Sequence, residues 1–143
     1  MTPPPARPPH PDSGHPLRGS PLGSGGSTFA IAEYVEAPST GGPPRTVAPL
    51  HRHRDEDEAW YVLDGELVVR MDDREVRAGP GTAVWSRPNV VHTFWNPSPV
   101  ETRYLLIMGP KTHAFLEGLH ADPGPSPEAI RALAERCGIE LLD

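Results

Sequence analysis

Between residues 58 and 63 the chain alternates Glu58, Trp60 and Val62 with Ala59, Tyr61 and Leu63, the period of two that sends successive side chains to opposite faces of a strand. The face carrying Trp60 and Val62 should point inward, and it takes Glu58 with it. Further short runs of strand character fall at 28–37, 46–53, 66–71, 74–78, 82–86, 91–96 and 101–108, divided by turn residues such as Asp64-Gly65, Asp72-Asp73 and Gly79-Pro80-Gly81. In the first of these the apolar candidates are Phe29, Ile31 and Tyr34. Short strands with frequent turns and no helix between them predict an all-β barrel or sandwich. After Gly109-Pro110 the period lengthens. Phe115, Leu116 and Leu119 suggest a short helix over 111–121, which Pro123 and Pro125 end. Ser126 then offers an N-cap, with Pro127 at the first helical position and Glu128 in the first turn. Ile130, Leu133, Ala134 and Cys137 recur at i, i+3, i+4 and i+7, and Gly138 supplies the stop. That stripe should pack against a core, which makes Cys137 a buried structural thiol.

On this strand pattern the histidines acquire a geometry. His51 and His53 are i and i+2 on one strand, so both imidazoles can reach one point in space. The charged loop 54–57 then turns the chain, and Glu58 opens the next strand where it can face the same point. A slip of one residue would put Asp57 there instead, although Asp55, Glu56 and Asp57 read more simply as a solvated loop. His92 lies in strand-like sequence that also places Phe94 and Asn96 on its face. Asn96 suits a loop-holding role. His10 and His15 sit in flexible sequence with no preorganised ligand geometry and read as solvated residues.

His51, His53, Glu58 and Gly65 match, residue for residue, the first motif of the cupin superfamily, H-x-H-x4-E-x6-G. Gly81, His92 and Asn96 fall at the spacing of its second motif, G-x5-P-x-G-x2-H-x3-N, across an intermotif stretch, 66–80. Arg45 stands where the first motif opens with Gly; Arg87 and Asn89 stand where the second has Pro and Gly. Asn tolerates the left-handed turn needed at position 89. The chain thus resembles single-domain cupins over roughly 29–108, and its C-terminal part is similar, more distantly, to quercetin-dioxygenase-like cupins. The resemblance implies a small jelly-roll barrel at 27–109 with a helical extension at 110–143. It implies a metal site of His51, His53, Glu58 and His92, with Glu58 doubling as a catalytic general base. It also implies a homodimer, in which an edge strand at 29–37 would find a partner.

Three imidazoles and one carboxylate, with no thiolate, suit one divalent first-row ion: manganese, iron, cobalt, nickel, copper or zinc. Trp60, Val62 and Phe94 would line a substrate pocket beside it, with Met71, Trp85 or Met108 as further wall residues. Such a pocket suits a small organic substrate, and the resemblance to quercetin-dioxygenase-like cupins implies a dioxygenase-like oxidoreductase acting on an enolisable or aromatic one. A non-catalytic metal- or ligand-binding barrel, a cupin isomerase or decarboxylase, and a scaffold needing no metal are the alternatives.

Composition narrows the rest. The 143 residues include 20 Pro and 14 Gly, concentrated partly in 1–26, so that segment is expected to be a disordered tail. A net charge of −6 argues against a nucleic-acid partner. The single cysteine excludes an internal disulfide. The longest apolar run, 104–108, is far too short to span a bilayer, and the N-terminus lacks an apolar signal core, so a soluble cytoplasmic protein is expected.

Overall fold

The computed structural model describes residues 14, 16–17, 20–23 and 26–142. Most of the tail expected to be disordered, including His10 and His15, lies outside the described residues. The strands form where the alternation puts them: β1 (Ala30–Glu36), β2 (His51–His53), β3 (Glu58–Asp64), β4 (Leu67–Met71), β5 (Arg74–Ala78), β6 (Ala83–Ser86), β7 (His92–Trp95) and β8 (Thr102–Met108). Two helices follow, α1 (Pro110–Ala121) and α2 (Pro127–Arg136), and then β9 (Ile139–Leu141). All pairings are antiparallel and make two sheets, β1-β8-β3-β6 and β5-β4-β7-β2-β9. The fold is all-β, a small jelly roll with a short helical extension.

Burial follows the period. On β3 Glu58, Trp60 and Val62 are buried while Tyr61 is exposed, and on β8 Thr102, Tyr104, Leu106 and Met108 are buried in strict alternation. With Leu67, Val69 and Phe94 from the facing sheet they fill the space between the layers. Burying each of these large side chains contributes about 1.5–3 kcal/mol. β1 divides the apolar candidates between its two faces. Its inward face is Ala30, Ala32, Tyr34 and Glu36, whereas Phe29 is 54% exposed and Ile31 only half buried. β1 is the edge of its sheet, and Leu22 pairs with Ile31 along the outer side through two hydrogen bonds of 2.8 Å.

The strand expected at 46–53 contracts to His51–His53. Pro49 has no N–H to give a ladder, and upstream of it the backbone touches β7 through Val47 N donating to Phe94 O. Among the described residues two non-glycine residues take left-handed φ where turns require it: Asp72 (54°) between β4 and β5, and Asn89 (68°) before β7. The helix signals also hold. Ser126 Oγ accepts from Ala129 N at 3.1 Å, Pro127 and Glu128 open α2, and Gly138 turns the chain with φ of 72°. Along α2 and its C-cap, Ile130, Leu133, Ala134 and Cys137 are the positions withdrawn from solvent. Cys137 is half buried, and burial raises its thiol pKa, as suits an inert thiol.

β9 is an element the periodicity did not disclose. It returns from α2 to pair with β2, His51 opposite Leu141 and His53 opposite Ile139, and Arg52 binds Glu140 at 2.7 Å. The helical extension is thereby tied to the strand that carries the histidine pair.

Candidate metal centre and adjoining cavity

The four ligand candidates come together from both sheets. His51 and His92 are directly opposite each other on β2 and β7, His53 is two residues along β2, and Glu58 starts β3 in the facing sheet. One potential ligand atom from each lies within 4.8 Å of every other, and all four residues are buried. Asp57, the alternative under a register slip, is not in the cluster; it accepts a hydrogen bond from Trp85 Nε1 at 2.9 Å.

Each imidazole is oriented by its other nitrogen. His51 Nδ1 is 2.7 Å from Pro49 O, and His92 Nδ1 is 3.0 Å from Val90 O. A carbonyl only accepts, so both Nδ1 atoms carry a proton, and in the neutral imidazole Nε2 then presents a lone pair. His53 Nδ1 lies 2.9 Å from Thr112 Oγ1, whose hydroxyl is 2.8 Å from Glu56 Oε1. With the hydroxyl proton given to that carboxylate, Thr112 accepts from His53 Nδ1–H, and the third imidazole takes the same tautomer. This pattern, with the distal nitrogen donating and the proximal one free, is how metal-binding histidines are held.

The Nε2 atoms meet a carboxylate. His92 Nε2 is 3.2 Å from Glu58 Oε1 and His53 Nε2 is 3.5 Å from Glu58 Oε2, yet His53 Nε2 is buried with no hydrogen-bond partner among the described residues. Lone pairs facing carboxylate oxygens repel unless a cation stands between them. The residues therefore fit a divalent ion in kind, number and orientation. Protonation equilibria favour the same state. Burial, reinforced by neighbouring His92, drops the His51 pKa from the ordinary 6.5 to about 4, and burial also lowers that of His53. Burial would raise Glu58, but the adjoining His92, with His53 and His51 close by, outweighs this and lowers its pKa.

The His51 shift has a measurable consequence in protein stripped of metal by chelation. Between pH 6.5 and about 4 the unfolded chain holds a proton on this imidazole that the folded chain refuses, so stability rises with pH across that window. The contribution is fully present above 6.5 and is lost as pH falls through about 4. A loss of roughly 3 kcal/mol between pH 7 and 4 is expected from this group. Denaturation midpoints of wild type and His51→Gln against pH check it; parallel curves would show that His51 does not titrate in this way.

A cavity of about 240 Å³ opens beside the cluster, with His51, His53 and Glu58 in its wall. Phe94, Tyr104 and Leu106 line it from the sheets, and Phe115, Leu116 and Leu119 from α1. Of the pocket residues expected from sequence, Phe94 is in the wall. Trp60 and Val62 share Glu58's face but are wholly buried in the core and do not border the cavity, because the packed interior closes around them. Trp60 packs edge-on to His92 with ring centres 5.4 Å apart, so it shapes the site from behind. Met71 packs on the core, Met108 is buried, and Trp85 is 56% exposed with the Arg87 guanidinium over its ring; none of the three lines this cavity. The wall residues missed from sequence include Thr112, Phe115, Leu116, Leu119 and His120 at helical spacing on α1, and Tyr34, Glu36, Tyr104 and Leu106 on the strands.

The acidic loop is not simply solvated. Glu56 accepts from Lys111 N at 2.9 Å, Thr112 N at 2.8 Å and Thr112 Oγ1 at 2.8 Å, capping α1 from outside, while Asp55 binds Lys111 Nζ at 2.9 Å. Asn96 takes the role expected of it. Its Nδ2 donates to the carbonyls of Glu36, Ala37 and Val100, and its Oδ1 accepts from Ser98.

A small antiparallel jelly roll with three histidines on one sheet and a glutamate on the other defines a metal-site barrel of one class, and sequence and structure comparisons place it. Residues 42–108 match the family described as the cupin domain. The fold is similar to that of TT1209 from Thermus thermophilus (25% identity, TM-score 0.50, covering 58% of this chain and 73% of that one). It is similar to the cupin domain of Cnp3 from Schizosaccharomyces pombe (14%, 0.53, 76% and 69%). A putative sugar phosphate isomerase from Acidithiobacillus ferrooxidans shares the fold over 59% of this chain and 52% of its own (23%, 0.50). No curated protein sequence matches. The stretch 42–108, which carries all four ligand candidates, is thus similar to the cupin domain, and the fold around it is the one these structures share. Among the described residues no helix is long and apolar enough to cross a membrane.

Proposed function

We propose that the protein is a metal-dependent oxidoreductase of the dioxygenase kind, acting on a small enolisable or aromatic substrate. His51, His53, Glu58 and His92 would hold one divalent first-row ion. The observation that carries this reading is the buried four-residue cluster, with a potential ligand atom of each within 4.8 Å of every other and each imidazole's Nδ1 at hydrogen-bond distance from an oxygen outside it. Such an ion supplies positive charge for an enolate oxygen and free coordination positions for a second ligand. The chain's own residues do the rest. Phe94, Leu106, Phe115 and Leu116 exclude water, and Glu58, ionised and in the cavity wall, receives the proton of an acidic enol. Among the described residues no Lys or Arg lines the cavity and His120 is the one cation candidate outside the ligand set, which does not favour the sugar phosphate named for the Acidithiobacillus relative. A homodimer built on the β1 edge belongs to the same reading, because Phe29, Val35, Tyr61 and Trp85 stay exposed on the described residues of that sheet.

The test is elemental analysis of untagged protein beside His53→Ala, followed by oxygen uptake with a flavonol and sedimentation of the same sample. About one first-row ion per chain, lost in the variant, with oxygen consumed by the loaded protein is expected. Protein that takes up no ion on reconstitution overturns the metal centre. A loaded protein that binds substrate but consumes no oxygen with any of the six ions is a binding barrel, not a dioxygenase.

A further inference from the structure

The end of β1 holds a carboxylate whose position the metal centre does not explain. Glu36 lies on the inward face of its strand, in phase with Ala32 and Tyr34, and borders the cavity that His51, His53 and Glu58 border. The Tyr104 hydroxyl donates a hydrogen bond to this side chain, yet Glu36 Oε2 is buried with no partner among the described residues. Leaving such an oxygen unpaired costs about 1–3 kcal/mol. Burial raises the Glu36 pKa against the opposing Tyr104 hydrogen bond, as for a carboxyl short of donors. Tyr34 and Tyr104 feel the charges of both Glu36 and Glu58, so the two carboxylates bracket the tyrosine pair. Apart from Thr112 and His120, the remaining wall outside the metal cluster is apolar or aromatic.

We propose that Glu36 is a second binding pole of the cavity, selecting single-ring ligands that carry an N–H or O–H donor remote from the oxygen donors held at the metal. The inference rests on the metal-anchored reading above and adds the substrate class: a compact ring with acidic oxygens at one end and a donor-bearing arm at the other. An apolar arm leaves Glu36 Oε2 unsatisfied, and a carboxylate arm meets a like charge. Tyr104 is the positioning residue, holding the Glu36 carboxyl by its hydroxyl.

The experiment is calorimetric titration of metal-loaded and metal-stripped protein with three catechols that differ only in the arm at C4: ethyl, 2-hydroxyethyl and 2-aminoethyl. Wild type loaded with metal should bind at least one donor-bearing catechol about tenfold or more tighter than 4-ethylcatechol. Whether the hydroxyl or the ammonium form gains more identifies the donor. Glu36→Met, which keeps the volume and removes both acceptors, should bring the three within about twofold of one another, and Glu36→Gln should lower the preference for the ammonium arm; metal content and melting temperature should stay at wild-type values. Metal-dependent binding of 4-ethylcatechol as tight as that of the other two, or a preference unchanged in both variants, overturns Glu36 as a pole and leaves the metal site standing. Binding of all three catechols that ignores the metal, or no binding at all, removes the metal-anchored reading and this inference with it.

Discussion

Gly65→Ala is expected to cost about 3–5 kcal/mol, a large part of the stability of a domain this size. Gly65 has φ of 83°, where an L-residue with a Cβ is disfavoured by about 1–2 kcal/mol. Space is the larger problem. A Cβ here would run into Thr102 Oγ1, and would come within 2.6 Å of Glu101 O and 2.7 Å of Thr102 Cα. Backbone cannot move aside cheaply, and overpacking of this sort costs about 1–3 kcal/mol. The clash also falls on a working contact, since Thr102 Oγ1 accepts from Glu66 N at 2.8 Å and donates to Glu66 O at 2.7 Å. Chemical denaturation of Gly65→Ala beside Gly124→Ala measures the effect. Gly124 has open space around it and serves as the neutral control. Equal midpoints for the two variants would mean that the turn after β3 has room the structure does not show.

Glu56→Ala is expected to loosen α1 and weaken metal retention together. Its carboxylate accepts two backbone N–H groups at the start of α1 and the Thr112 hydroxyl, and hydrogen bonds to a charged acceptor contribute about 1.5–3 kcal/mol each when buried. Partial exposure brings the expected loss to about 2–4 kcal/mol. Gly109 shows how close the approach is, because a Cβ there would enter the Glu56 carboxylate. Without Glu56 the Thr112 hydroxyl loses the acceptor for its proton, and His53 Nδ1 loses the arrangement that keeps its Nε2 lone pair inward. Loss of such orienting contacts typically weakens a metal site by about 10–100-fold. Amide exchange at Lys111 and Thr112, with chelator competition on the same sample, reads both effects. Wild-type protection at the two amides would show that Glu56 does not hold the helix, and wild-type chelator resistance alone would confine its role to the helix.

How far sequence reached depends on how local the cause is. The four ligand candidates were legible because an i, i+2 histidine pair and a strand-opening glutamate are local patterns and His92 falls at a motif spacing, and the turns at Gly65 and Asn89 follow from single residues. Ser126 announced its cap in the same way. The phase of β1 was hidden because Ala30 and Ala32, which face inward, are too small to mark a hydrophobic face, while Phe29 and Ile31 do so from the wrong side. Once Tyr34 sets the phase, Glu36 falls inside, and an inward carboxylate is the signal that could have revealed it. The cavity wall was misplaced for another reason. Trp60, Val62 and Phe94 share the inward direction, but which inward residue meets a void depends on where α1 lies, and that is set by Glu56 and by Leu133 under Gly118. Three residues of β9 are too few to carry a period, and only pairing with β2 makes them a strand.

The division of the ligands between the two layers has a mechanical side. His51, His53 and His92 hang from one sheet and Glu58 from the other, so an ion held by all four would rivet the sandwich through its middle. Sliding one sheet over the other and letting the ion go would then be a single event. The rate at which the metal escapes would inherit the barrier to parting the sheets.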